Sequence, residues 1–561
     1  MTQNQSVRQT SACRPPLMFR IIFRLMFRQT EVCRTARRKG LALLIFAALM
    51  LASVDAANRP LPSAEATSSI TARELKRHLT FLASDELGGR YTLSHSNLIA
   101  ARYLAAQLEY YGYRGAASGG SFFQRVPLSY KSVDLAASHI TLNPAGTKRE
   151  FKYADGFLAD APANMDIAGD LAFVGYGIST PNNNHDDYAG LDVKGKIVVI
   201  AAGTPASLKD ARLRDSEREE SAALAHGAIG AIKLPDAQTM LGWEQIKAWM
   251  GSQKQLGLPA RPTASGKVLP EVTAGPELIK AIARTIGTDA SILISPGDKL
   301  RPAALTATAE IKMKVAIEDA PPAQNVAAIL EGSDPKLKDE YVVFSAHYDH
   351  LETSNKGEVY HGADDDGSGT VSVLEIAQAL AVGPRPKRSI LIVFHTGEEL
   401  GLFGSEYNTD YEPVVPLEKL VADFNIDMVG RSRPEGDDDA RDAHLTDRDS
   451  IYVIGADKLS TELNKLNEET NLDTARLKFD YTYNDERNPE RFYYRSDHYN
   501  YAKHGIPVIF YFTGVHRDYH RPSDVVEKID FEKMERIDRM IFATGWRVAN
   551  LDHRLVVDKR P

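Results

Sequence analysis

Tyr341-Val342-Val343-Phe344-Ser345-Ala346-His347-Tyr348-Asp349 is a short apolar run that ends on an imidazole and a carboxylate. Six residues of this kind suit a buried strand better than a helix turn. His347 and Asp349, two apart on extended chain, share one face. That pairing suits a metal-bound histidine whose second ring nitrogen donates to a carboxylate, which sets its tautomer and orientation.

Downstream of this run, apolar strand segments alternate with helical ones. Strands are predicted at Ser389 to Phe394, Val421 to Ile426, Ile451 to Ile454 and Val508 to Phe512. Helices are predicted from Ser368, near Leu402 and from Phe531. Alternation of this type predicts an α/β sheet covered by helices, with its site in the loops beyond the strand C-termini. Two amphipathic helices are expected before it, over Thr71 to Leu87 and Asn97 to Tyr111. Between Leu171 and Pro302 the texture changes to short Val/Ile-rich strands punctuated by Gly and Pro, at Phe173 to Ile178, Lys196 to Ala201 and Ala228 to Lys233. That change predicts a separate inserted unit.

The strand ends carry the chemistry. Gly362-Ala363-Asp364-Asp365-Asp366-Gly367-Ser368-Gly369 sets three carboxylates side by side, and burying them requires a cation or protons. A divalent metal suits a carboxylate whose two oxygens can bridge two ions, and Asp365 is read as meeting a metal, Asp364 and Asp366 as caps of the following helix. In Thr396-Gly397-Glu398-Glu399 the adjacent side chains diverge, so one glutamate can bind metal while its neighbour acts as general base. Asp427 is a lone acid in an apolar run and needs a partner. His520 follows the last strand. The set His347, Asp365, Glu399, Asp427 and His520 fits two zinc ions, with Mn²⁺ or Co²⁺ as substitutes.

The 561-residue chain, 43% hydrophobic and 25% charged, excludes disordered, collagenous and disulfide-framework classes. Its net charge of −8 conceals a basic start, with nine Lys and Arg among residues 1 to 40. Arg37-Arg38-Lys39, the apolar run Leu41 to Ala52 and Val54-Asp55-Ala56 fit a secretory signal over residues 1–56, and the run is too short to span a bilayer. A retained signal anchor, or a start at Met18 or Met26, are the other readings. Removing the leader would make the chain more acidic, which argues against nucleic acid as a partner. It would also remove both cysteines, Cys13 and Cys33, which suits export to an oxidising compartment, periplasmic or extracellular.

The order and spacing of H-Y-D, G-A-D-D-D-G-S-G, T-G-E-E-L-G-L-F-G-S, N-I-D-M-V-G and Y-H-R-P-S-D resemble the co-catalytic di-zinc aminopeptidases of peptidase clan MH, family M28. The resemblance implies a mixed central sheet flanked by helices, with Asp365 bridging both ions. It further implies that His347 and Asp427 complete one site, and Glu399 and His520 the other. Glu398 falls at its general-base position, Asp349 at the position that orients the histidine, and Ser496-Asp497-His498 on a motif near the pocket. Phe173-Val174-Gly175-Tyr176-Gly177-Ile178, Asp187 to Ile197 and His226 to Ile232 resemble a protease-associated domain, a mainly-β or α+β insert beside the cleft. The expected divisions are a leader at 1–56, catalytic-domain segments at 65–165 and 315–555, and the insert at 166–305. Peptides are the expected substrates, cleaved at a free amino end. Carboxypeptidase or dipeptidase action is the alternative if Arg491, Arg495, Arg517 or Arg521 meets a substrate carboxylate. A non-catalytic, receptor-like role is the reading from another class. The preferred side chain and the oligomeric state are not legible in the sequence.

Overall fold

A strand covered on both faces has to bury every side chain, and Ser389–His395 and Leu420–Ile426 do so along their whole length. The computed structural model describes residues 60–559 except 145, 160–161, 209–216, 252–253, 260–267, 296–299 and 486–487. The expected leader, with Cys13 and Cys33, lies outside the described residues.

Within residues 63–561, nine strands form the main sheet. Its order is Arg114–Gly115, Ala323–Leu330, Ser389–His395, Tyr341–His347, Leu420–Ile426, Val508–Phe512, Ser450–Ile454 and Lys478–Asp480, with Phe123–Val126 also paired to Ala323–Leu330. The four central strands, from Ser389–His395 to Val508–Phe512, are parallel, whereas Ala323–Leu330 runs antiparallel to Ser389–His395 and Ser450–Ile454 antiparallel to Val508–Phe512. The α/β class and the mixed sheet agree with the sequence expectation.

The period of two sorts the strand residues between two cores. Val342, Phe344 and Ala346 pack with Leu75, Leu104, Leu374 and Ile541 from four helices, Ala72–Leu82, His95–Tyr110, Gly369–Val382 and Phe531–Ala549. Val343, Leu391 and Val393 face the other way, toward Tyr501, Phe510 and Phe512. Each fully buried side chain of this kind contributes about 1.5–3 kcal/mol. Helix starts are set locally: the Thr71 hydroxyl accepts the Glu74 N–H at 3.2 Å, and Asp530 accepts that of Lys533 at 3.1 Å. Helix Gly369–Val382 is apolar on nearly all sides, so it lies inside rather than on the surface.

The chain leaves the main sheet at Val126 and returns at Ala323 through an antiparallel neck, Ser129–Val133 against Val315–Asp319. Between them stands an eight-stranded sheet whose parallel part is Met165–Phe173, Ile197–Ala201, Gly230–Leu234 and Glu271–Ala274. Two details differ from expectation. His139–Pro144, Arg149–Lys152 and Phe157–Leu158 belong to this second sheet, as does the whole of Ala303–Met313, so it extends beyond 166–305 on both sides. The strand expected at Phe173 to Ile178 ends at Phe173, because Gly175 and Gly177 turn the chain at φ 61° and 69°. Among the described residues no helix is long and apolar enough to cross a membrane.

Candidate metal centre

Parallel strands that stop at the same edge bring their following loops together. His347 is the last residue of its strand, Glu398 and Glu399 follow Ser389–His395, and Asp427 follows Leu420–Ile426. Asp365 comes from the turn that opens helix Gly369–Val382, and His520 from the loop after Val508–Phe512. All six converge.

Two clusters share Asp365: His347, Asp365 and Asp427 in one, His350, Asp365 and Glu399 in the other. His347 Nε2 lies 3.4 Å from Asp365 Oδ1 and 3.7 Å from Asp427 Oδ2. His520 Nε2 lies 3.0 Å from Asp365 Oδ2 and 3.1 Å from Glu399 Oε2. Donors about 2.0–2.1 Å from a tetrahedral zinc stand roughly 3.3 Å apart, so these separations fit a common metal. Although close, His520 Nε2 and Asp365 Oδ2 have no partner with hydrogen-bond geometry, nor does the buried His350 Nε2. Donor atoms that crowd one point without bonding each other are suited to hold a divalent cation.

The electrostatics agree. Burial disfavours charge on Asp365, but His347, His350 and His520 outweigh it and hold the carboxyl well below its usual range. Burial likewise opposes protonation of His520, yet Asp365 and Glu399 lift it to about 10. His347 is raised well above 6.5, burial notwithstanding, by Glu398 and by contacts with Asp349, Asp365 and Asp427. Glu398 goes the opposite way: burial, reinforced by Glu399 and Asp427, pushes it well above the usual glutamate range against the pull of His347. Imidazoles holding protons among carboxylates release them when a metal takes their place.

Asp349 departs from expectation. His347 Nδ1 is 3.1 Å from the Asp349 backbone carbonyl and 3.8 Å from its carboxylate. A carbonyl only accepts, so Nδ1 carries the proton and Nε2 is left for the cluster. The Asp349 carboxylate instead accepts the Thr92 hydroxyl at 2.7 Å and the Glu398 N–H at 3.3 Å, tying the loop after His347 to the one that carries Glu398 and Glu399. Asp364 and Asp366 also differ from simple helix caps. Asp366 Oδ1 accepts Gly369 N–H at 2.9 Å, a cap, and also Met428 N–H at 3.1 Å. Asp364 Oδ1 accepts Gly430 N–H at 2.6 Å and its other oxygen lies 3.1 Å from His516 Nε2. Ser496 donates to Asp427 Oδ2 at 2.7 Å, beside the cluster as the motif suggested.

Sequence reasoning missed His350 and Arg90. His350 Nδ1 is 2.6 Å from Glu399 Oε1, and its place directly after H-Y-D was the available signal. Arg90 is buried, and its guanidinium donates to the carbonyls of Leu82, Tyr348, His361 and Gly362 at 2.7–3.0 Å, bracing the loops that carry His347 and Asp365. No local pattern marks it, since its partners are backbone carbonyls and three of the four are distant in sequence. A third group, Glu74, His78 and Glu375, has metal-ligand types, but Arg77 Nη2 stands 2.5 Å from Glu74 and 2.9 Å from His78, so a guanidinium already supplies the cation. Larger grooves exist, such as the one lined by Val126, Leu128, Ile317 and Pro321, but they gather no such chemistry.

A mixed α/β sheet whose parallel strand ends bring two imidazole–carboxylate clusters onto one shared aspartate sets out donors suited to a divalent cation. Residues 325–545 match Peptidase family M28. Aminopeptidase YwaD of Bacillus subtilis is 28% identical over 257 residues, 45% of this chain and 50% of that protein. A protein of Arthroderma otae named "Probable leucine aminopeptidase" is 28% identical over 234 residues, 40% of this chain and 57% of its own length. The chain thus spans only half to three-fifths of the length of these relatives. The solved aminopeptidase from Aneurinibacillus sp. strain AM-1 is 19% identical with a TM-score of 0.42, the alignment covering 89% of this chain and 98% of that one.

Proposed function

We propose that this chain is an exported di-zinc metallo-exopeptidase that removes N-terminal residues from peptides. The observation that carries the reading is Asp365 shared between two clusters, with Glu398 beside them at 3.8 Å from His347 Nε2. In this reading His347, Asp365 and Asp427 hold one ion, while Asp365, Glu399 and His520 hold the other, with His350 steadying Glu399. When bound, the ions supply Lewis-acid polarisation of the scissile carbonyl and acidify water. Glu398, held by its own N–H to Asp349, takes the proton from the attacking water and returns it to the leaving amine. His347 keeps its Nδ1 proton on the Asp349 carbonyl throughout, which fixes the ring.

The names of the family relatives support the peptidase reading. The basic n-region and the apolar run Leu41 to Ala52 support export. The second sheet, hung on the neck of Ser129–Val133 and Val315–Asp319, is read as a protease-associated domain that shapes access to the cleft. The test is release of 4-nitroaniline from free-amine and N-blocked aminoacyl anilides, with and without chelator. Cleavage of the free-amine compounds alone, lost with chelator and restored by zinc, is expected. Cleavage of N-blocked substrates, or activity indifferent to chelator, overturns it.

A further inference from the structure

Among the described residues, the cleft at the cluster has a single arginine and no lysine in its lining. His347, Asp365, Glu398 and Asp427 line it together with Phe492, Tyr519 and Arg495. Of the four arginines that the sequence set near these loops, only Arg495 lines this cleft. Arg517 is committed elsewhere, donating to Asp437 and Asp442 at 2.6 Å, and the Arg491 guanidinium rides over the Tyr494 ring at 4.7 Å.

Arg495 is held in place but weakly satisfied. Its guanidinium lies 4.5 Å from the centroid of the Phe492 ring, a stacking that orients the planar fork at little entropic cost. Its nearest carboxylate, Glu490, is 3.7 Å away, and its contact with the Glu490 carbonyl is a long 3.4 Å. The side chain is 42% exposed, so most of its donors remain available. A preordered guanidinium in the same lining as Asp365, Glu398 and Asp427 makes the cleft bipolar: the carboxylates suit cations and the guanidinium suits a planar anion bound by two parallel hydrogen bonds.

We propose that Arg495 is a specificity residue that binds a carboxylate of the substrate, favouring short peptides with a free C-terminus or an acidic N-terminal side chain. The inference rests on the peptidase reading for the word substrate, but the carboxylate site is testable without turnover. Binding is measured by calorimetry on the zinc-loaded full chain carrying Glu398→Gln, with Leu-Gly against Leu-Gly-amide, and Glu-Gly-amide against Gln-Gly-amide. The first pair reports a terminal carboxylate and the second a side-chain carboxylate.

At least tenfold tighter binding of the acid in one pair is expected, falling to within twofold of parity when Arg495→Met is added and partly kept with Arg495→Lys. Equal binding within both pairs, or a preference undiminished by Arg495→Met, overturns the proposal. Kinetics with Glu398 intact separate the two readings: an acid preference in binding without hydrolysis of any peptide removes the peptidase reading alone, whereas hydrolysis with no acid preference removes the carboxylate site alone. In the kinetic arm the loss in Arg495→Met is expected in KM for the acid rather than in kcat. Circular dichroism of each variant verifies folding.

Discussion

Asp366 Oδ1 accepts the Met428 N–H at 3.1 Å, which joins the turn that offers Asp365 to the loop that offers Asp427. The same oxygen caps Gly369 at 2.9 Å, so one buried carboxylate sets the start of a helix and the spacing of two cluster residues. Asp366→Ala leaves both N–H groups buried without an acceptor, at a cost on the order of 3 kcal/mol. Asp366→Asn keeps an oxygen acceptor and is expected to lie much closer to the native stability. Urea midpoints of the two variants check this, and equal midpoints contradict it.

Glu398 and Glu399 are adjacent yet have different neighbours. Glu399 contacts His350 and His520, whereas Glu398 lies beside His347 and is spared both. Glu398→Gln is therefore expected to lower kcat by about 10²–10⁴ with metal content unchanged. Loss of bound zinc in that variant would mean that Glu398 is a ligand instead.

His350 and His520 both approach Glu399, and their variants should separate the roles. His520→Ala is expected to reduce bound zinc from two ions to one per chain. His350→Ala removes only the partner of a ligand, so two ions remain and the weaker one loses about 10–100-fold in affinity. Zinc stoichiometry by atomic absorption and chelator competition give the answer, and an inverted pattern would exchange the two assignments.

Asp423 provides a pH signature away from the metal cluster. Burial pushes its carboxyl up to about 8, with the Ser345 hydroxyl opposing and Asp497 adding to the rise. The ordinary value is 3.8, so between about pH 4 and pH 8 the folded chain binds a proton there that the unfolded chain has released. The stability linked to this group is present in full below pH 4 and is lost as pH rises toward 8. Asp423→Asn keeps the acceptor for Ser345 and removes the titration. Its stability advantage over the native chain should therefore grow from pH 5 to pH 8 in thermal melts, and a constant difference would exclude the assignment.

Much of this was readable along the chain. The apolar runs ending in His347, Ile426 and Phe512 had a length and texture that suit buried strands better than helices, and Gly-flanked acids at strand ends are costly unless something cationic meets them. His347, Glu399, Asp427 and His520 could be singled out because each sits within a residue or a short loop of such an end, and Asp365 because it stands among glycines at the opening of the next helix. The insert could be detected by its change of texture. Its edges were misjudged because His139–Pro144 alternates buried and half-buried residues, a pattern that any one-faced sheet could absorb.

Chain-local patterning settled the α/β class, the helix starts and the kinds of side chain at the site, since these depend on periodicity and on neighbours a few residues away. Which atoms meet depended on folding. The Asp349 carbonyl, rather than its carboxylate, receives the His347 ring proton, Arg90 braces two distant loops, and Arg495 alone of four arginines lines the cleft. Those outcomes turn on ångström differences between segments up to hundreds of residues apart, and only the packed sheet and its crossovers set such distances.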